Sequence, residues 1–213
     1  MEIIAQLAEF ILHLDKHLGP IIERAGDWTY LLFFVIIFLE TGLVATPFLP
    51  GDSLLFALGM FAASGSLKIM WLFVILSIAA ILGDSLNYAI GKYIGKYLLE
   101  KKKLFFIKDA HIRKTHEFFE KYGPKTIVLA RFVPIVRTFA PFVAGIGSMN
   151  YPRFFAYNVI GGILWVGSFL FGGFYLGNFS IVKDNFGIVV ILIIVGSILL
   201  GLSEFLKKEK NER

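Results

Sequence analysis

The stretch from Ile69 to Ile90, IMWLFVILSIAAILGDSLNYAI, constrains this chain more than any other feature. As a helix it is about 33 Å long, enough to cross the hydrocarbon core of a bilayer, and Asp84 is its one charged residue. Phe154 to Leu176 and Gly187 to Leu206 are two more apolar runs of spanning length. Of the 213 residues 57% are hydrophobic and 17% charged, whereas soluble domains average about 45–50% and about 25%. A multi-pass membrane protein is expected, and a soluble enzyme, a nucleic-acid binder and a disordered tail are poor fits. The absence of cysteine removes disulfides, thiolate nucleophiles and cysteine-type metal sites.

The remaining segments are not simple spans. Residues 1–18 put Ile3, Ile4, Leu7, Phe10, Ile11, Leu14 and Leu18 at helical spacing with acids on other faces, which predicts an amphipathic surface helix, with a linker to residue 29. Residues 30–64 are apolar but carry Glu40 and break at Pro47, Pro50 and Gly51; the part after the break is about half a bilayer long. Residues 126–149 are also apolar, interrupted by Arg131, Pro134, Arg137 and Pro141. Both read as re-entrant helical hairpins, entering and leaving on one side.

Charge gives the orientation. The connector 92–125 carries ten basic residues against four acids, and the tail 207–213 is again basic, so both are expected on the cytoplasmic side, the C-terminus included. Residues 1–29 carry two basic residues against five acids and are expected outside. The order amphipathic helix, proline-broken hairpin, spanning helix then occurs twice: 1–18, 30–64 and 69–90, then about 110–122, 126–149 and 154–176. One hairpin enters from each side, the pattern of an inverted-topology repeat with its site at the midplane. The fold expected is a single all-α polytopic membrane domain with two facing hairpins.

An ionisable residue inside an apolar segment costs about 2.5–3.5 kcal/mol at the bilayer centre on insertion scales, so each needs a reason. Glu40 and Asp52 flank the break TPFLPGDS and can meet at a hairpin tip. Capping of the next helix by Asp52 or Ser53 is the competing account, but it leaves Glu40 unexplained. Arg131 and Arg137 would diverge on an unbroken helix; a break at Pro134 lets both guanidiniums face one place, where a planar fork binds phosphate or carboxylate oxygens. Pairing of these arginines with Glu40 and Asp52, with no ligand, is the competing account, and the pairs can also serve both purposes, held together at rest and exchanged for ligand during turnover. Asp84 is as well read as a helix-packing or capping residue as an accessory functional one. His13 and His17 share a helix face, yet no third metal ligand is evident, and His111 and His116 offer no better site; neither metal nor cofactor is implied. Trp28, Trp71 and Trp165 read as interfacial anchors or packing residues.

Three segments carry a family resemblance: FLETGLVATPFLPGDSLLFALGMFA, then GDSLNYAIGKYIGK, then ARFVPIVRTFAPFVAGIGSMNYPRFFAYNVIGGILWV. Over residues 30–176 this resembles the bacterial DedA family of inner-membrane proteins, related to eukaryotic VTT-domain lipid scramblases. The resemblance implies two facing re-entrant hairpins and translocation of a lipid-linked phosphate, notably undecaprenyl phosphate, dependent on the proton-motive force. The family's acidic pair falls on Glu40 and Asp52 and its arginine pair on Arg131 and Arg137. The expected partners are a polyprenyl phosphate or other anionic lipid, protons and the bilayer. A proton-coupled antiporter of a small cation or drug, with the two acids as ion ligands, is the alternative; the arginines disfavour cationic cargo. An intramembrane lipid phosphatase would want a histidine near the arginines, and all four histidines lie outside the apolar segments. A transporter rather than an enzyme is the reading.

Overall fold

The computed structural model describes residues 14–43, 51–95, 122–147 and 149–189, with isolated positions at 119, 191–192 and 195–196. Among these residues the fold is all-helical: α1 Leu14–Ala25, α2 Trp28–Gly42, α3 Gly51–Ala63, α4 Ile69–Ile90, α5 Thr126–Ala130, α6 Pro134–Ile146, α7 Tyr151–Leu176 and α8 Ser180–Asp184. Pro47, Pro50, the bulk of the basic connector, the tail and most of the run 187–206 lie outside the described residues, as do His13, His111 and His116.

Among the described residues two helices have spanning length. α4 does not stop at Ile90 but continues through a π-helical turn, Gly91–Gly95, to make an apolar helix of 27 residues, and α7 has 26. Each is about 40 Å long. They run antiparallel, with Phe73 beside Phe171 at one end and Tyr88 stacked on Phe154 at the other. Met70, Trp71, Val74, Ile78, Leu82 and Leu86 face outward along α4, as do Phe155, Ile160, Ile163 and Leu164 along α7. Apolar stripes of that extent are stable against lipid and not against water.

α2 runs parallel to α4. Lys68 N–H donates to Tyr30 Oη at 3.0 Å near their starts, and Gly42 lies against Gly83 toward the middle of α4. α3 begins beside Glu40 and doubles back toward the start of α2. With 15 and 13 residues, α2 and α3 are each about 20 Å long, too short to cross. The sequence placed the end of the first amphipathic helix at Leu18, but α1 runs on through Pro20 to Ala25. Packing carries it past Gly19: Leu18 and Ile22 are buried, and Gly19 rests on the Phe61 ring of α3. α1 ends at Gly26, whose φ of 51° is open to glycine without strain and whose N–H closes on Ile22 O at 3.1 Å.

The second broken segment is built differently from expectation. The turn at Arg131–Val133 separates the short α5 from α6, whose first residue is Pro134, where a missing N–H costs nothing. Pro141, expected to break this segment, lies inside α6, which runs through it to Ile146. Its cost there is one backbone bond: Pro141 cannot donate to the Arg137 carbonyl. The spanning helix that follows starts at Tyr151 rather than Phe154.

The halves are interlocked through glycine. α3 packs on α7, where Gly59 meets the backbone at Leu170 and Phe174, and Gly173 meets the backbone of Phe56. α6 packs on the end of α4, where Gly91 meets the backbone of Phe142, and Gly145 that of Tyr88. A Cβ at any of these four positions would overlap main-chain atoms. The second helix of each broken segment thus leans on the spanning helix of the other half.

Candidate functional site

On α2 the buried stripe Phe33, Ile37, Glu40 has helical spacing, so the fold that buries two apolar side chains necessarily turns Glu40 inward. Its carboxylate meets the start of α3: Gly51 N–H donates to Glu40 Oε1 at 3.2 Å. Glu40, across the break, therefore satisfies one of the N–H groups that the first turn of α3 leaves open. Gly51 is a close-approach position, because a Cβ there would overlap the Glu40 carboxylate. Asp52 is the second residue of α3 rather than its cap.

Arg137, on α6, holds both acids. Its Nη2 lies 2.6 Å from Glu40 Oε1 and its Nη1 2.7 Å from Asp52 Oδ1. One guanidinium thus ties α2, α3 and α6 together at the break between the first two. Glu40 is almost fully enclosed, with 2% of its side chain exposed, whereas Arg137 and Asp52 keep 11% and 15%. Glu40 Oε2 is buried and has no hydrogen-bond partner among the described residues.

Arg131 belongs to a second cluster. Its Nη2 lies 2.7 Å from Asp84 Oδ2 and 2.6 Å from Asn158 Oδ1, and Asn158 Nδ2 donates to Ile81 O at 2.9 Å. Arg131 and Asp84 are both buried. Gly161 and Gly162 make the room: a Cβ at Gly161 would sit 3.1 Å from Arg131 Nε. A pairing of both arginines with Glu40 and Asp52 is therefore corrected by the structure, which gives Arg131 to Asp84. Asp84 is interior to α4 and caps nothing. The reason is geometric: the turn at Arg131–Val133 leaves Arg131 on the α5 side, against α4 and α7, while Arg137 lies on α6, facing α2 and α3.

Trp165 joins the clusters. It is fully buried at the middle of α7, so it is no interfacial anchor, unlike Trp28 and Trp71, which are exposed. The guanidinium carbons of Arg137 and Arg131 lie 5.0 and 5.8 Å from its ring centroid, and its Nε1–H donates to Asp52 Oδ1 at 2.9 Å. Asn87, on α4, donates to Thr41 O at 3.3 Å and Thr138 O at 3.0 Å, linking α2 with α6. Sequence reasoning confined to ionisable residues missed Asn87, Asn158 and this role of Trp165. Polar amides inside apolar spans were the available signal for the first two. Among the described residues no group of side chains suits a metal ion.

The VTT domain family matches residues 49–175, which include Asp52, Asp84, Arg131, Arg137, Asn158 and Trp165. The chain is also 48% identical over 212 residues to the protein DedA of Escherichia coli strain K12, covering 99% of this chain and 97% of that one. This protein belongs to the DedA family. Other similar proteins are an uncharacterised membrane protein of Mycobacterium leprae, 43% identical over 79% of this chain and 75% of its own length, and the inner membrane protein YqjA of Escherichia coli K12, 35% identical over 70% and 68%. No solved structure matches the chain. The relatives' names and the lipid-facing stripes of α4 and α7 agree on a membrane location for this DedA-family protein.

Proposed function

We propose that this protein is a transporter that moves a lipid-linked phosphate, undecaprenyl phosphate in the first instance, across the cytoplasmic membrane, driven by the proton-motive force. The observation that carries the reading is Arg137, one partly accessible guanidinium divided between two carboxylates near the level of the middle of the spanning helices. A bridging fork of this kind has two stable uses. It holds Glu40 and Asp52 at rest, and it holds the oxygens of a phosphate once the carboxylates release it. A proton delivered to the acid pair removes the charge that retains Arg137, so protonation and phosphate capture favour one another. Arg131 supports the site through the same Trp165 ring, its guanidinium carbon 5.8 Å from the centroid. Its Nε and Nη1 are buried without partners among the described residues, so it has donors to offer while Asp84 stays paired. The polyprenyl tail remains in lipid throughout.

The reading includes two re-entrant hairpins, α2–α3 and α5–α6, related as an inverted repeat. The reciprocal glycine contacts, α3 on α7 and α6 on α4, support it, because each hairpin then moves against the other half's spanning helix as access alternates. The orientation proposed keeps the basic connector and the C-terminus in the cytoplasm. A cation antiporter is less well supported, since a cation would have to displace Arg137 from both acids.

The test is transbilayer movement of undecaprenyl phosphate against an ordinary phospholipid in reconstituted vesicles, with and without a pH gradient. Movement of the prenyl phosphate, faster with the gradient and lost in Arg137→Lys, is the expected result. Equal movement of both lipids, or full activity of Arg137→Lys, removes the phosphate site.

A further inference from the structure

If Arg137 is to leave Glu40 and Asp52, the two carboxylates must not be left bare. A buried carboxylate stripped of its partner is strongly disfavoured, and a fork retained by that cost would never open. In this structure each acid has a second donor that does not move with Arg137. For Glu40 it is the Gly51 N–H, on Oε1, the same oxygen that Arg137 Nη2 contacts. For Asp52 it is the Trp165 Nε1–H, on Oδ1, the same oxygen that Arg137 Nη1 contacts. Two donors on one oxygen weaken each other, so Trp165 loosens the Arg137–Asp52 bond and also satisfies Asp52 after that bond has gone. The Trp165 ring is fully buried and presents its face to Arg131 and Arg137, which limits how far either guanidinium swings.

Resting on the phosphate reading above, we propose that Trp165 is the positioning residue of the exchange: its indole N–H holds Asp52 back from Arg137, so that a phosphate monoester competes for the guanidinium. Trp165 acts through Asp52 and does not itself bind the phosphate. The gain is one hydrogen bond to a charged group, worth about tenfold in affinity.

The experiment is a double-variant cycle on the detergent-solubilised full chain, titrated with geranyl phosphate. Trp165→Phe keeps an aromatic ring but loses the N–H, and Asp52→Ala removes the competitor for Arg137. Trp165→Phe is expected to weaken binding about tenfold in the native background and to have no effect in the Asp52→Ala background. Equal weakening in both backgrounds means that the ring acts by packing alone and overturns the assignment, with the phosphate reading intact. A native chain that binds no geranyl phosphate overturns the phosphate reading, and this assignment with it. Should Trp165→Phe not fold, biosynthetic replacement of tryptophan by 3-benzothienylalanine in a Trp28→Phe, Trp71→Phe chain removes the same N–H with the bicyclic shape kept. The same two outcomes then decide.

Discussion

Replacing Asp84 by asparagine separates the two ion clusters more sharply than any change at Glu40 or Asp52. The side chain keeps its size, but Arg131, with 1% of its side chain exposed, loses the charge 2.7 Å away that neutralises it. Removing one partner of a buried pair costs about 3–5 kcal/mol, most of it the penalty of the stranded charge. For a chain of this size each kcal/mol moves Tm by about 2–4 °C, so a loss of about 6–20 °C is expected. Glu40→Gln should cost less, because Arg137 keeps Asp52 and is partly exposed. Thermal unfolding of the purified protein in one detergent, followed by size-exclusion recovery, measures all of these. The decisive comparison is between two double variants. Asp84→Asn with Arg131→Met removes both charges of one pair and should regain at least half of the loss; Glu40→Gln with Arg131→Met removes charges from different pairs and should regain nothing. Recovery in the second and not the first would refute the assignment of Arg131 to Asp84.

Gly59→Val drives a side chain into the α7 backbone, whereas Gly172→Ala adds a methyl group where nothing lies within 4 Å. The first should abolish recovery of folded protein in the same assay, and the second should not lower Tm by more than about 2 °C, since it touches no packing feature and alanine suits a helix better than glycine. The chain's lack of cysteine makes topology directly readable. Single cysteines at Lys102 and Lys210 should be shielded from an impermeant thiol reagent in intact cells, one at Asp184 should label, and labelling at Lys102 would overturn the proposed orientation.

Much of this architecture follows from the amino-acid sequence. Hydrocarbon tolerates only helices and closed barrels, and the unbroken apolar run of α4 is the length of a spanning helix and about twice that of a barrel strand, so it had one possible structure, while the prolines and charges of residues 30–64 and 126–149 argued against simple spans there. The same economy marked Glu40, Asp52, Asp84, Arg131 and Arg137 as residues needing partners. Which partner each received was not legible, because a partner is fixed by helix crossings between segments far apart in sequence. A spacing of six residues across a turn leaves the relative direction of Arg131 and Arg137 open; contact of α5 with α7 and of α6 with α4 decided it. Trp28 and Trp71 lie in the first turns of α2 and α4 and are exposed, whereas Trp165, at the middle of α7, lies against α3, and that contact makes it the donor on Asp52. Composition and periodicity set what must be buried, and the tertiary contacts, through the glycines that let backbones touch, decided beside what.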